Sequence, residues 1–205
     1  MLAKQKKITW ANRFRGFLPI VIDVETSGLE PATDALLEIA AVTLAMDDNG
    51  KLSRDKTYVY QVEPFQNARM DPKALEITGI EPFHPFRYAI PEQQALHRIF
   101  TKIQCLLAAT QCQRAVLVGH NAWFDLSFIQ AAVKRANLTS NPFHSFTTFD
   151  TACLAAVALG ETVLARSVRR ANMSFDISKA HSASYDAEKT AELFCYIVNN
   201  SFFKI

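Results

Sequence analysis

No segment of this chain is long and apolar enough to cross a membrane. The longest hydrophobic runs, residues 39–46 and 152–159, fall well short of the roughly 20 residues that a helical span needs. Lys4, Lys6 and Lys7 are followed by no hydrophobic run, which argues against a secretory signal. A linker rich in Pro, Gly or Ser is missing, as are internal repeats and low-complexity tracts. The 205 residues, 49% of them hydrophobic, are therefore expected to build one core. Cys105, Cys112, Cys153 and Cys195 lack C-x-x-C spacing, so free thiols in a reducing cytoplasm are a better reading than disulfides or zinc. Net charge is also small, +2, but unevenly spread: residues 1–17 hold Lys4, Lys6, Lys7, Arg13 and Arg15 and no acid. That marks a basic N-terminal segment over 1–16, ahead of a single domain over 17–205.

What the chain does have is five polar residues in three short blocks, each beside an apolar run. They are Asp23 and Glu25 in PIVIDVETSGLE, Asp125 in VGHNAWFDLSF, and His181 with Asp186 in AHSASYDAEKT. Carboxylates set into core-forming sequence are costly to bury unless something positive joins them. Two divalent cations would balance four of them, and two such ions on a phosphodiester make the arrangement for in-line phosphoryl displacement. The constellation reads as a nuclease.

LPIVIDVE is β-rich, and strand residues two apart share a face. Asp23 and Glu25 are therefore expected side by side near the end of one strand, which Gly28 and Pro31 close into a loop. Taken alone, Asp-x-Glu also describes a solvated strand edge. AVLVGHNAWFDLSFIQAAVKRA predicts a buried strand over 115–118, a polar turn over 119–121 and an amphipathic helix with Phe124, Phe128, Ile129 and Ala132 at helical intervals. Asn121 is the expected N-cap, which sets Asp125 in the first turn near the positive end of the helix dipole. A plain first-turn acid, and a turn histidine such as His120, are the bland alternatives. In the third block Ser182 is the expected cap of a helix over 183–198, with Asp186 in its first turn and His181 on the loop before it. On one helix those two side chains would point about 140° apart. Off the helix, His181 can act on a water while Asp186 holds a metal, and an imidazole pKa of about 6.5 suits a general base.

Most of the fifteen phenylalanines are core, since apolar periodicity accounts for Phe100, Phe128 and Phe194. Phe124 directly precedes an acid of the site, and Phe146 lies in the loop NPFHSFTT. Both are candidate platforms for a base, with a core role the alternative for Phe146. Arg166, Arg169 and Arg170 form a second basic run in a helix-compatible stretch, and Arg114 stands just before the buried strand. With four site carboxylates balanced by cations, the remaining surface is more basic than the total suggests, as a nucleic-acid partner requires. Plain solubility would also account for such charges. Glu38, in the strand-like LLEIAAV, is left outside the site, its carboxylate expected only to hydrogen-bond a backbone group.

Asp-x-Glu, His-Asn-x-x-Phe-Asp and His-x-x-x-x-Asp together resemble the three motifs of the DEDD (DnaQ-like) exonucleases in their histidine-bearing branch. The tyrosine branch would place Tyr where Ser182 stands. FRGFLPIVIDVET, TDALLEIAAVTL, VEPF, NPFHSFTTFDTA and AHSASYDAEKTA are similar to sequence blocks of the ribonuclease T family. The resemblance implies an α/β, ribonuclease H-like fold, a five-stranded mixed sheet flanked by helices, with the exonuclease domain over 17–205. It implies a homodimer that removes nucleotides from the 3′ ends of tRNA and other stable RNA precursors and also degrades single-stranded DNA. It implies two Mg²⁺ ions per site, with Mn²⁺ as a substitute, and nucleoside 5′-monophosphates as products. Residue by residue, Asp23, Glu25, Asp125 and Asp186 match metal ligands and His181 the general base. Phe124 and Phe146 match two of the family's base-stacking phenylalanines, whose other two positions are Leu29 and Ile77 here. Lys73 stands where the family usually carries an acid. Arg13, Arg15 and Arg114 match a basic patch that serves the partner subunit's site. An oligoribonuclease or a proofreading-type DNA exonuclease shares the motifs but not the flanking blocks. A catalytically inactive nucleic-acid-binding module is the reading from a different class.

Overall fold

The run LPIVIDV becomes a central strand because both of its faces are covered. In the computed structural model, which describes residues 8–201, five strands form one sheet: β1 (Phe17–Thr26), β2 (Leu36–Met46), β3 (Leu52–Gln61), β4 (Arg114–Gly119) and β5 (Phe143–Asp150). Their order is β3-β2-β1-β4-β5, with β1, β2 and β3 antiparallel and β4 and β5 running parallel to β1. The helices are α1 (Trp10–Arg13), α2 (Pro72–Thr78), α3 (Glu92–Thr110), α4 (Trp123–Arg135), α5 (Thr151–Leu159), α6 (Leu164–Arg170) and α7 (Ala183–Asn200). This is the mixed, helix-flanked sheet that the resemblance implies. Lys4, Lys6 and Lys7 lie outside the described residues. All four cysteines are free thiols, and no single described helix is long and apolar enough to cross a membrane.

Side chains alternate across β1. Leu18, Ile20, Ile22 and Val24 enter a core with Ile99 and Phe100 of α3 and Phe128 and Ile129 of α4. Val21 enters a second core with Ala183, Ala187, Ala191 and Phe194 of α7. The period of two carries this second face on to Asp23 and Glu25. Three alanines one turn apart let α7 lie close to the sheet, so the acids and the first turn of α7 share one side.

Two local expectations are corrected, and a third is met in position only. Asn121 is not the cap of α4: the helix starts behind Ala122, and Asn121 adopts a left-handed backbone (φ 67°) in place of a cap's extended one. The turn is held instead from outside, because the Asp150 carboxylate accepts the N–H groups of Asn121 and Ala122, each at 3.1 Å. Ser182 does hold the N-cap position of α7, its carbonyl accepting the Asp186 N–H at 3.0 Å, but its hydroxyl contacts that of Ser184 at 3.0 Å and makes no capping bond. Phe146 lies in strand β5, not in a loop, although the ladder slips there: Ala115 faces Phe143 while Leu117 faces Thr148. The intervening residues bow out from the edge.

The loop after β1 is shaped by a buried carboxylate. Asp34 accepts Nε and Nη2 of Arg69 at 2.8 and 3.0 Å, the Glu30 N–H at 2.9 Å and the Thr33 hydroxyl at 3.0 Å. Gly28 is required here, since a Cβ would fall on the Asp34 carboxylate. Ser27 fastens the other side: its hydroxyl donates to the Arg69 carbonyl at 2.5 Å, and its carbonyl accepts the Asp71 N–H at 2.8 Å. The loop that carries Leu29 is thereby tied to the approach to α2. The Arg69 guanidinium holds the Asp34 carboxyl below the usual carboxylate range. Replacing Asp34 with Ala should cost about 3 kcal/mol, the scale of losing charge-assisted hydrogen bonds from a buried group. Urea unfolding checks it, and a midpoint equal to that of the parent would show the pair to be dispensable.

Candidate active site

Glu25 is buried, and the strand register sets it directly across from Glu38 of β2. Like charges so placed repel. Glu38 is itself buried and accepts the Gln61 amide of β3 at 2.5 Å. The expectation that it only serves a backbone group therefore fails: its partner is a side chain, and its charge bears on the site. One signal was present in LLEIAAV, where alternation puts Glu38 on the same face as Ala40 and Val42, the face of α7.

Asp125 arrives from the other side of β1. Pairing of β1 with β4 ends at Val21 and Val118, so the Val24 N–H beyond it has no strand partner on that side. Asp125 Oδ1 accepts it at 3.0 Å. The first turn of α4 reaches this position because residue 119 is glycine; a Cβ there would lie 3.0 Å from Ala122 Cα and from Asp125 Oδ2. Asp186, in the first turn of α7, accepts the His181 N–H on Oδ2 at 2.9 Å. Its Oδ1 is buried with no hydrogen-bond partner. His181 sits on the preceding loop with a left-handed backbone (φ 63°), and its ring is exposed.

These carboxyls perturb one another. Burial, and then the charges of Asp125, Glu25, Asp186 and Glu38, hold the Asp23 carboxyl well above the usual range. Glu25 is pushed up to about 8 by burial and then by Asp186, Glu38 and Asp125. Burial raises Asp125 as well, against the opposing Val24 N–H. Burial also raises Asp186, against the His181 N–H and the fields of His181 and His120. Among the described residues no three such side chains already close into a coordination cage; the four share one field. All-oxygen donors, an orphaned buried oxygen and a deficit of positive charge fit a hard divalent cation.

Beside Asp23 and Asp125 opens a cleft of about 490 Å³, lined also by Leu29, His120, Trp123 and Phe124. The Phe124 ring is backed by Phe128, with centroids 5.0 Å apart, and meets Trp123 edge-on at 5.9 Å. Leu29 stands at the rim, 79% exposed. Trp123, also exposed, is an aromatic that the motif pattern does not include, although it neighbours Phe124 in the same block. Ile77 on α2 and Phe146 on β5 are exposed as well, 61% and 80%, but neither lines this cleft. His120 is tied down, with Nδ1 3.0 Å from the Thr151 hydroxyl and Nε2 2.7 Å from the Thr162 carbonyl. Burial pulls its pKa below the usual histidine value.

The basic residues sit at the opposite end of the sheet. Phe17 pairs with Arg114 where β1 and β4 begin, and Arg15 lies just before β1. Asp23 is six residues further along the strand, about 20 Å away at the usual rise. Arg13, in α1, carries a buried Nε with no acceptor among the described residues.

Residues 20–194 match the family model described as an exonuclease. The chain is 55% identical over 189 residues to ribonuclease T of Marinobacter nauticus, covering 92% of this chain and 86% of that one. Among solved structures it resembles E. coli exonuclease I in complex with a dT13 oligonucleotide, with TM-score 0.65 and 18% identity over 89% of this chain. It spans only 41% of that exonuclease. It also resembles a 3′-exonuclease solved in recognition of a histone mRNA stem-loop, with TM-score 0.69, 15% identity and coverage of 89% of this chain and 63% of that one. At such identities the likeness shows the fold, which is ribonuclease H-like.

A carboxyl whose folded pKa lies above its unfolded value keeps its proton while the unfolded chain has already lost it. Between those two values stability falls as pH rises. The metal-free protein should lose Tm between pH about 5 and 8, and a divalent cation should raise Tm more at the upper end of that window. Calorimetry with and without the cation tests this. A Tm that climbs across the window, or a larger cation shift at its acid end, would refute a site of mutually raised carboxyls.

Proposed function

The chain belongs to the exonuclease family that includes ribonuclease T and is a 3′–5′ exonuclease; from that premise we propose that it trims the 3′ ends of tRNA and other stable RNA precursors, and also single-stranded DNA, with two Mg²⁺ ions. The observation that carries this reading is the crowding of Asp23, Glu25, Asp125 and Asp186 into one field, with an Asp186 oxygen left unpartnered. Members of this family generally use divalent metal ions.

Asp23, Glu25 and Asp186 would hold one cation, and Asp23 with Asp125 would bear on a second. When bound, such ions acidify the attacking water and balance the charge that builds on the phosphate. The other steps fall to the chain itself. Phe124, backed by Phe128, lies against the terminal base, with Leu29 at the rim of the same cleft. Ile77 on α2 and Phe146 on β5, exposed outside this cleft, are the other two positions that match the family's base-stacking residues. His181, its backbone fixed to Asp186 and its ring exposed, takes the proton of the attacking water at a ring nitrogen. The new P–O bond forms in line as the bond to the 3′ oxygen breaks, and that oxygen takes up a proton from solvent water and leaves as the 3′-hydroxyl of the shortened strand. A nucleoside 5′-monophosphate is released. Arg13, Arg15 and Arg114, at the far end of the sheet, act on the site of a second copy in a homodimer.

A labelled hairpin with a short 3′ overhang should lose single 3′ nucleotides with Mg²⁺ and none with EDTA. Retained binding without cleavage would favour an inactive module instead. His181→Ala should lower kcat by about 10²–10⁴-fold, the usual contribution of a general base, with strand binding nearly intact. Unchanged turnover in that variant would remove His181 from the mechanism.

A further inference from the structure

Helix α6 carries charge that the mechanism above leaves without a role. Arg166, Arg169 and Arg170 recur at i, i+3 and i+4 and so share one face. All three are exposed, while Ser167, Val168 and Ala171 are buried. Val168 and Ala171 pack with Leu193 and Ile197 of α7, the helix whose first turn holds Asp186. The arginine face is therefore fixed in place, and it points away from the core. Among the described residues none of the three guanidinium groups is in an ion pair. Glu161, whose carboxyl feels the charges of Arg166 and Arg170, is taken up by the adjoining backbone, accepting the Thr162 and Val163 N–H groups at 3.0 and 3.4 Å.

The start of α6 is fastened to the cleft. The Thr162 carbonyl lies 2.7 Å from His120 Nε2, and His120 lines the cleft together with Asp23 and Phe124. The helix begins two residues after Thr162 and is about 10 Å long, a length that covers two or three successive phosphates of a strand. No aromatic residue occurs in LARSVRR, so the face offers charge without a stacking surface. Charge alone contacts backbone and leaves bases unread.

Resting on the exonuclease reading, we infer that the Arg166, Arg169 and Arg170 face of α6 binds the phosphates of the single strand on the 5′ side of the reacting end, in the same chain as the carboxylates. It sets the length of strand that the enzyme grips and makes that grip sensitive to salt. It is distinct from Arg13, Arg15 and Arg114, which stand on α1 and around the starts of β1 and β4.

The test compares the parent with the variant carrying Arg166→Gln, Arg169→Gln and Arg170→Gln on two substrates, with the short-overhang hairpin as a third. One is a single strand of about ten nucleotides; the other is the nitrophenyl ester of a nucleoside 5′-monophosphate, which fills the reacting position and has no backbone beyond it. The variant should lose about tenfold in kcat/KM on the strand at low salt. Its log–log salt slope should be shallower by about 2, from roughly 0.7 for each phosphate that the arginines no longer neutralise. Turnover of the ester should be unchanged. An unaltered salt slope on the strand overturns the inference, and so does an equal loss on the ester, which would mean damage at the cleft. A loss seen only on a hairpin with a short overhang would give the arginines to the duplex and overturn the single-strand assignment. A parent inactive on both substrates would instead bring down the exonuclease reading itself.

Discussion

Mutual repulsion among buried carboxyls is the constraint around which this molecule is arranged. Four acids from three separate elements, with Glu38 as a fifth across the strand, meet where β1 outruns β4. A domain of this size has only modest net stability, so such a cluster persists only because the rest of the fold over-determines it. The two cores on either face of β1 do that. The α3 and α4 side fixes the strand from one face, and the alanine stripe of α7 brings the helix down on the other. Without close packing on both sides, the acids could relieve their repulsion by moving apart.

The same constraint explains how each acid is held. None of the four is neutralised by an arginine or lysine in the described residues, although such pairs are used elsewhere, as between Arg69 and Asp34 or Arg135 and Glu92. Instead two of the site acids accept backbone N–H groups: Val24 for Asp125, His181 for Asp186. A main-chain donor fixes direction without cancelling the charge that a cation needs. The structural ion pairs and the site acids are thus two separate uses of the same residue types, told apart by what faces them.

Much of this is legible in the sequence, wherever the controlling interaction is local. Strand alternation sets Asp23 and Glu25 on one face, and the helical period puts Asp125 and Asp186 in first turns. The departures all depend on partners distant in sequence. Asn121 looks like a cap because cap rules weigh only the adjoining turn, whereas Asp150, twenty-nine residues on, holds the backbone there. Glu38 looks peripheral because pairing of β2 with β1 cannot be read from either strand alone. Phe146 looks like a loop residue because Pro142 and His144 flank it, yet hydrogen bonding to β4 draws the segment into the sheet. Trp123 carries a legible signal, an exposed aromatic beside Phe124, that the motif itself does not use.

The latch behind Gly28 has a consequence for how such a protein can change. Asp34 is wholly buried and accepts four hydrogen bonds, and none of them involves the side chain at position 29. The shape of that loop is therefore independent of the residue it displays. Exposed positions of this kind usually tolerate replacement within about 0.5 kcal/mol. A lineage could exchange an aromatic for an aliphatic side chain there, changing what the rim of the cleft presents, while the scaffold beneath stayed as stable as before.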